Sequence, residues 1–150
     1  MLIHISPVIS PDLLYALALM GHGDEIVLAD AFYPGATMSS RCIRADGVKV
    51  TTLLEGILHL MNPDDFVMDP VVMMAAVKGD TADPSIEKKY RAIIDTYWPK
   101  TPPIQFIDRF SFYERAKNAY AVVVSGETVK YGCIILKKGV IPVSEIKPAS

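Results

Sequence analysis

The sequence predicts an α/β protein, a layered α/β/α arrangement on a mainly parallel sheet. Short apolar runs such as "EIVLAD", "PVVMMAAV", "YAVVVSGE" and "GCIILKKG" have the length of strands and little polar alternation, the pattern of strands covered on both faces. Between several of them lie segments whose apolar residues recur at helical spacing. No internal repeat or low-complexity segment interrupts the alternation, and alternating strands and helices favour a parallel sheet with helices packed against it.

The elements follow in order. Ser10 is placed to cap a helix that Pro11 opens, because proline at the first helical position loses no hydrogen bond. Leu13, Leu14, Leu17 and Met20 recur along it, and Gly21 is expected to end it in the left-handed conformation. The strand "EIVLAD" puts Asp30 at its carboxyl end, and "AFYPGATMSS" reads as a loop broken by Pro34 and Gly35. "RCIRADG" is a short extended segment. "VTTLLEGILHL" places Leu53, Leu54, Ile57, Leu58 and Met61 on one helical face. "PVVMMAAV" is a buried strand, and Asp83 with Pro84 starts a helix with a stripe of Ile86, Tyr90, Ile93, Ile94 and Tyr97. "PPIQFID" is a further strand. Ser111 with Glu114 three residues on has the capping-box pattern of another helix start. "YAVVVSGE" and "GCIILKKG" are strands whose Gly-containing connection suggests a hairpin-like link, and the tail after Val140 is expected to be loosely held.

The 150 residues are half apolar, enough for one core, so a single domain over residues 1–150 is expected. A net charge of −2 with no Lys/Arg-rich run lacks the electrostatic footprint of nucleic-acid or anionic-membrane binding. The apolar runs fall short of the ~20 residues that cross a bilayer, and "MLIHISPVIS" has no basic segment leading into an apolar stretch. A cytoplasmic location is expected. Two isolated cysteines, Cys42 and Cys133, form neither a disulfide framework nor a zinc-ligand spacing and read as buried thiols.

Ligands in such sheets bind beyond the carboxyl ends of strands, which directs attention to Asp30 and to the loop after "IQFID". His22 lies between two glycines and can exchange a proton near neutral pH. It can equally be an exposed loop residue beside a helix cap. Asp30 at a buried strand end needs hydrogen-bond donors, which sugar hydroxyls or its own loop can supply. Arg109 offers a planar fork to vicinal hydroxyls, or an ion pair with Asp108 or Glu114. Tyr131, Gly132 and Cys133 open the last strand and can contact a small ligand, or simply pack. Tyr113, Tyr120 and Trp98 are packing residues that could also cover a sugar face. His22, Asp24, Asp30 and Asp46 match no metal-ligand pattern, so no metal is expected. "GHGDEI" lacks the third glycine of a dinucleotide fingerprint and leads from helix to strand, the reverse of that motif.

Four segments, "SPVISPDLLYALALMGHGDEIVLADAFYP", "IRADGVKVTTLLEGIL", "VVMMAAVKGDTADPSIEKKYR" and "IDRFSFYERAKNAYAVVVSGETVKYGCIILKKGV", together resemble the L-fucose mutarotase family, related to the D-ribose pyranases. The resemblance runs from about Ile5 to Val140. It implies an α/β enzyme that interconverts anomers of a free monosaccharide without a cofactor, as a homo-oligomer, often of ten subunits. It makes His22 the leading acid/base residue, and Asp30, Arg109 and the Tyr131, Gly132, Cys133 segment sugar-binding, with Tyr113 and Tyr120 as further candidates. The family usually carries asparagine in its Tyr-Gly-Asn segment, where this chain has Cys133. Arg109 stands where the ribose pyranases carry a histidine, so the resemblance implies L-fucose as substrate, with D-ribose pyranase activity and non-catalytic sugar binding as the alternatives.

Overall fold

Glu25–Ala29 forms strand β1, with Ile26, Val27, Leu28 and Ala29 fully buried, in a computed structural model that describes residues 1–148. Around β1 the chain builds, in order, helix α1 (Pro11–Leu19) before it and then helix α2 (Gly35–Met38), β2 (Cys42–Ala45), α3 (Val50–Leu58), β3 (Val71–Met74), α4 (Pro84–Tyr97), β4 (Gln105–Ile107), α5 (Arg109–Lys117), β5 (Ala121–Ser125) and β6 (Ile134–Lys137). The six strands make one sheet in the order β2-β5-β1-β6-β3-β4. Contacts β2 to β5, β5 to β1 and β3 to β4 are parallel, while β6 runs antiparallel to both its neighbours. Five strands therefore share one direction, as the apolar runs predict.

Side chains alternate across a strand, and the two faces fill two cores. Ile26 and Leu28 join Leu13, Leu17, Leu53, Leu54, Ile57, Tyr90 and Ile94 from α1, α3 and α4. Val27 and Ala29 join Phe112 and Ala116 from α5, with Tyr33 and Cys133. Each such aliphatic side chain contributes about 1.5–3 kcal/mol by leaving water, so continuous apolar strands and helices on both faces are one requirement seen from two sides.

Several expected starts are found. Ser10 accepts from the Leu13 N–H at 3.2 Å and Asp83 from the Ser85 N–H at 2.9 Å. The α4 stripe is buried at Ile86, Tyr90 and Ile94, with Ile93 and Tyr97 only partly covered.

Other expectations are corrected. Gly21 is not a left-handed cap: α1 ends through Met20 in extended conformation, and the positive φ falls at Gly23 (87°). The Lys138 ammonium takes over the end of that helix, donating to the Leu17 and Met20 carbonyls at 2.8 and 2.6 Å. Helix α5 begins earlier than its Ser111–Glu114 pattern suggests. Asp108 is the cap, accepting from the Ser111 N–H at 2.9 Å and the Ser111 hydroxyl at 2.7 Å. The supposed loop after β1 contains the single-turn helix α2, whose Gly35 lies so close to β5 that an added Cβ would stand 2.4 Å from Val124. β5 and β6 form no hairpin, because β1 lies between them; local turn chemistry lost to the burial of β1 at the sheet centre. After β6 the chain carries an exposed 3-10 turn, Val143–Glu145, and of the expected loose tail only residues 149–150 lie outside the described residues. Cys42 is half-buried and Cys133 buried, and both are free thiols. No helix among the described residues is long and apolar enough to cross a membrane.

Lys138 ties the segment before β1 to α1 and β6. Replacing it by methionine should leave two helix-end carbonyls unpartnered and lower stability by about 1–3 kcal/mol, measured by denaturant unfolding; an unchanged midpoint would show that the ammonium does not hold this helix end.

Candidate functional site

Where β1, β3 and β4 end and β6 begins, the chain turns away from the sheet and leaves a cavity of about 360 Å³. Asp30, Arg109, Tyr113, Tyr131 and Cys133 line it, together with Phe32, Tyr33 and Asp80. Four of the six leading sequence candidates, Asp30, Arg109, Tyr131 and Cys133, thus meet at one rim although they are distant in sequence. Asp30 follows the buried strand β1, and Tyr131 and Cys133 precede the buried strand β6, while Arg109 follows the exposed edge strand β4, which its pairing with β3 holds in register.

Asp30 is fixed from two sides. Its Oδ1 accepts from the Phe32 N–H at 2.9 Å, the loop-capping role open to it in the sequence. Its backbone N–H donates to Cys133 Sγ at 3.2 Å, and that thiol lies 3.4 Å from Oδ2, to which it donates. Burial, reinforced by the nearby Asp30 charge, pushes the Cys133 thiol well above its ordinary range, so it is a protonated donor and not a nucleophile. A carboxylate can accept about four hydrogen bonds, and Asp30 keeps acceptor capacity toward the cavity.

Tyr131 adopts φ +60°, a left-handed conformation uncommon for a non-glycine residue and worth about 1–3 kcal/mol of strain. Its hydroxyl donates to Asp80 Oδ2 at 2.8 Å and accepts from the Val77 N–H at 3.3 Å, and Lys130 joins the same oxygen at 2.9 Å. Hydrogen bonds from Lys130 and then Tyr131 hold the Asp80 carboxyl down to about 2. Gly132 does not line the cavity. Its carbonyl accepts from the buried Tyr90 hydroxyl at 2.6 Å, and an added Cβ would stand 2.9 Å from the Val129 carbonyl oxygen. Its contribution is the close turn that sets Tyr131 and Cys133.

Arg109 opens α5 and is exposed. The ion pair with Asp108 or Glu114 does not form: Asp108 is occupied with Ser111, and Arg109 pairs with no carboxylate among the described residues. Its guanidinium lies 5.6 Å from the Tyr113 ring centre, and Tyr113 stacks on Tyr33 at 5.5 Å and 9°. The Tyr33 hydroxyl is buried with no hydrogen-bond partner among the described residues, and burial pushes its phenol upward.

His22 is not here. It precedes β1, whereas Asp30 follows it, and β1 alone spans about 13 Å at ~3.3 Å per residue. At the amino end of the sheet His22 Nε2 lies 3.1 Å from Oδ1 of the buried Asp64, with the Phe66 ring 5.2 Å away. Tyr120 also belongs to that end, its N–H donating to the Glu25 carbonyl at 2.8 Å and its ring covered by Arg41 at 4.3 Å. Trp98 is a packing residue whose indole N–H donates to the Leu58 carbonyl at 2.8 Å.

The sequence reading missed Tyr33, Asp64 and Asp80. Tyr33 had a usable signal, an aromatic in the loop directly after a strand-end carboxylate; Asp64 in "NPDDF" and Asp80 in "KGD" look like ordinary turn residues. No group of three or more His, Cys, Asp and Glu side chains among the described residues is arranged to hold a metal ion.

A six-stranded α/β sheet with the carboxylates of Asp30 and Asp80, the cations Arg109 and Lys130 and the phenols of Tyr33, Tyr113 and Tyr131 around a small strand-end cavity has the place and lining in which α/β proteins hold small polar ligands. The chain belongs to the RbsD / FucU transport protein family, whose model matches residues 3–141. An L-fucose mutarotase of Actinobacillus pleuropneumoniae is 56% identical over 143 residues, 95% of this chain and 99% of that protein. The fucose mutarotase of Streptococcus pneumoniae, solved in complex with L-fucose, superposes with a TM-score of 0.89 at 49% identity, over 94% of this chain and all of that one. Bacillus subtilis RbsD, complexed with D-ribose, shares the fold with a TM-score of 0.70 at 23% identity, over 94% of this chain and 99% of that one.

A carboxylate with a depressed pKa adds stability that is full above its ordinary value of 3.8 and is lost as pH falls toward the folded value of about 2. The stability difference between wild type and Asp80→Asn should therefore stay constant above about pH 4 and shrink below it, read from thermal melts across that range. A pH-independent difference would remove the charge of Asp80 from the hold on Tyr131.

Proposed function

We propose that this chain is an L-fucose mutarotase, interconverting the α and β anomers of L-fucose as one domain in a cytoplasmic homo-oligomer. The observation that carries the reading is the cavity joining Asp30, Arg109 and Tyr131 at the strand ends, in a chain about half identical over nearly its full length to proteins named for that reaction.

Mutarotation needs only proton movement and orientation. The anomeric hydroxyl loses a proton, the ring oxygen gains one as its bond to the anomeric carbon breaks, the aldehyde turns, and the ring recloses on its other face. General acid–base assistance of roughly 10²–10⁴ suits such a reaction, and it requires neither a metal nor a redox cofactor. Asp30 accepts from sugar hydroxyls, the unpaired Arg109 fork donates to sugar oxygens, and the Tyr131 hydroxyl orients the ring. Tyr113 supplies an aromatic wall. Cys133, in place of the family's asparagine, acts on the sugar only through Asp30.

His22 is the proton shuttle, and its place at the opposite end of β1 makes each chain two half-sites. The cavity of one copy is completed by His22 of a second. Exposed aromatic side chains mark both halves: Phe32, which lines the cavity, and Phe110, next in sequence to the lining Arg109, are 77% and 75% exposed, and Phe66 beside His22 is 73% exposed. Contacts between unlike surfaces close into rings when the rotation allows, which accords with an assembly of ten subunits. Tyr120 at the His22 end comes to the sugar, if at all, from that second copy.

Saturation-transfer NMR on the anomers of L-fucose and of D-ribose tests the activity. Faster exchange with L-fucose supports the mutarotase; acceleration with D-ribose alone points to a pyranase, and binding without acceleration to a sugar carrier. His22→Asn and Arg109→Ala should each abolish the acceleration, and co-assembled they should regain about a quarter of it, because sites of mixed origin unite an intact His22 with an intact Arg109. No recovery after verified co-assembly would place His22 and Arg109 of each working site on the same chain.

A further inference from the structure

Tyr33 is a core residue with one unanswered polar atom. Only 6% of it is exposed, and it belongs with Val27, Phe112, Val124 and Cys133 to the core on the α5 face of the sheet. Its backbone is fixed twice: the N–H donates to the Asp30 carbonyl at 3.3 Å, and the carbonyl accepts from the Gly35 N–H at 2.8 Å. The Tyr113 ring stacks on its own at 5.5 Å. A ring held in this way cannot carry its oxygen out to water. The hydroxyl is buried and finds no hydrogen-bond partner among the described residues.

A buried hydroxyl left unpaired destabilises a fold, and phenylalanine fills nearly the same space without that cost. The core alone would therefore be served better without the oxygen. What the oxygen has beside it is the cavity. Tyr33 lines it, and so do Cys133, Tyr113 and Asp30, the groups whose charges act on the phenol. Burial first, and these neighbours next, keep the phenol protonated, so at neutral pH it offers a hydrogen to an acceptor. Asp30 does not take that hydrogen, its two oxygens being met by the Phe32 N–H and the Cys133 thiol.

We propose that the Tyr33 hydroxyl is a sugar-recognition group: it donates to a non-anomeric hydroxyl oxygen of the bound monosaccharide and makes the site select sugars that carry a hydroxyl at that ring position. This rests on the reading of the cavity as the sugar site. In that reading His22 of a second copy reaches the anomeric carbon, so the phenol, fixed in the core of the first copy, meets another part of the ring: O2, O3 or O4 of L-fucose. A site that hydrogen-bonds a substrate hydroxyl rejects the analogue lacking it, because its own buried group then stays unpaired. The oxygen of Tyr33 thus weakens the free protein and sharpens the choice of ligand.

Tyr33→Phe tests this through two readouts of opposite sign: denaturant unfolding without sugar, and calorimetric titration with L-fucose and its 2-, 3- and 4-deoxy analogues. Without sugar the variant should unfold at higher denaturant than the wild type, yet it should bind L-fucose about tenfold more weakly. One of the three analogues should bind the wild type about tenfold more weakly than L-fucose does, and should bind Tyr33→Phe as well as L-fucose does, the coupling expected of two groups that meet. Unchanged affinity of the variant for L-fucose would overturn the proposal, as would the same discrimination among the analogues by both proteins. A lowered unfolding midpoint would overturn it too, by showing that the hydroxyl is already satisfied in the free protein. Folded wild type that binds none of the four sugars would instead remove the sugar-site reading, and the proposal with it.

Discussion

The burial of β1 is the constraint from which the rest of the molecule follows. Ile26 to Ala29 are fully buried, between β5 and β6, with α1, α3 and α4 on one face and α5 on the other. A strand in that position cannot slip by one residue without exchanging its two faces, so the residues at its ends are placed firmly. One end carries Asp30, the other leads back to His22. The interior of the strand serves the core, and its two ends present polar side chains at two separate rims.

Each rim uses the same device, a polar side chain immobilised by a partner held in the core or by a short hydrogen-bond chain. At the carboxyl rim the Cys133 thiol and the Phe32 N–H hold Asp30, while Asp80 and Lys130 hold Tyr131. At the amino rim Asp64 holds His22. Cysteine at position 133 fits this pattern. A small, buried, protonated thiol donates to Asp30, so the polarity of position 133 is directed into the carboxylate.

Much of the fold was legible because burial writes itself in runs of apolar residues: the unbroken "VVMM" and "AVVV" stretches leave few structures other than covered strands. Caps formed by Ser10 and Asp83 were legible for the same local reason. What the sequence hid was non-local. Nothing in the chain between β5 and β6 says that β1 inserts between them, and a Gly-containing connection invites a hairpin. Gly21 looked like a helix cap, but Lys138, 121 residues from Leu17 along the chain, does that work. The site divided likewise. Asp30 and Arg109 were readable as residues following strands, and the cavity gathers them. His22 and Asp30 are close in sequence, yet the extended strand between them sets them at opposite ends of the sheet, and Asp64 lies 42 positions from the imidazole it meets.

The proposed division of the site between two copies has a direct structural test: the assembled protein with L-fucose bound, solved at a resolution that shows the sugar ring. The sugar should lie in the cavity of one copy against Asp30 and Arg109, with its anomeric oxygen within about 3 Å of an imidazole nitrogen of His22 of a second copy. A sugar held in that cavity with no second chain beside it, or with His22 of every copy far from its anomeric carbon, would contradict the division of the site between subunits.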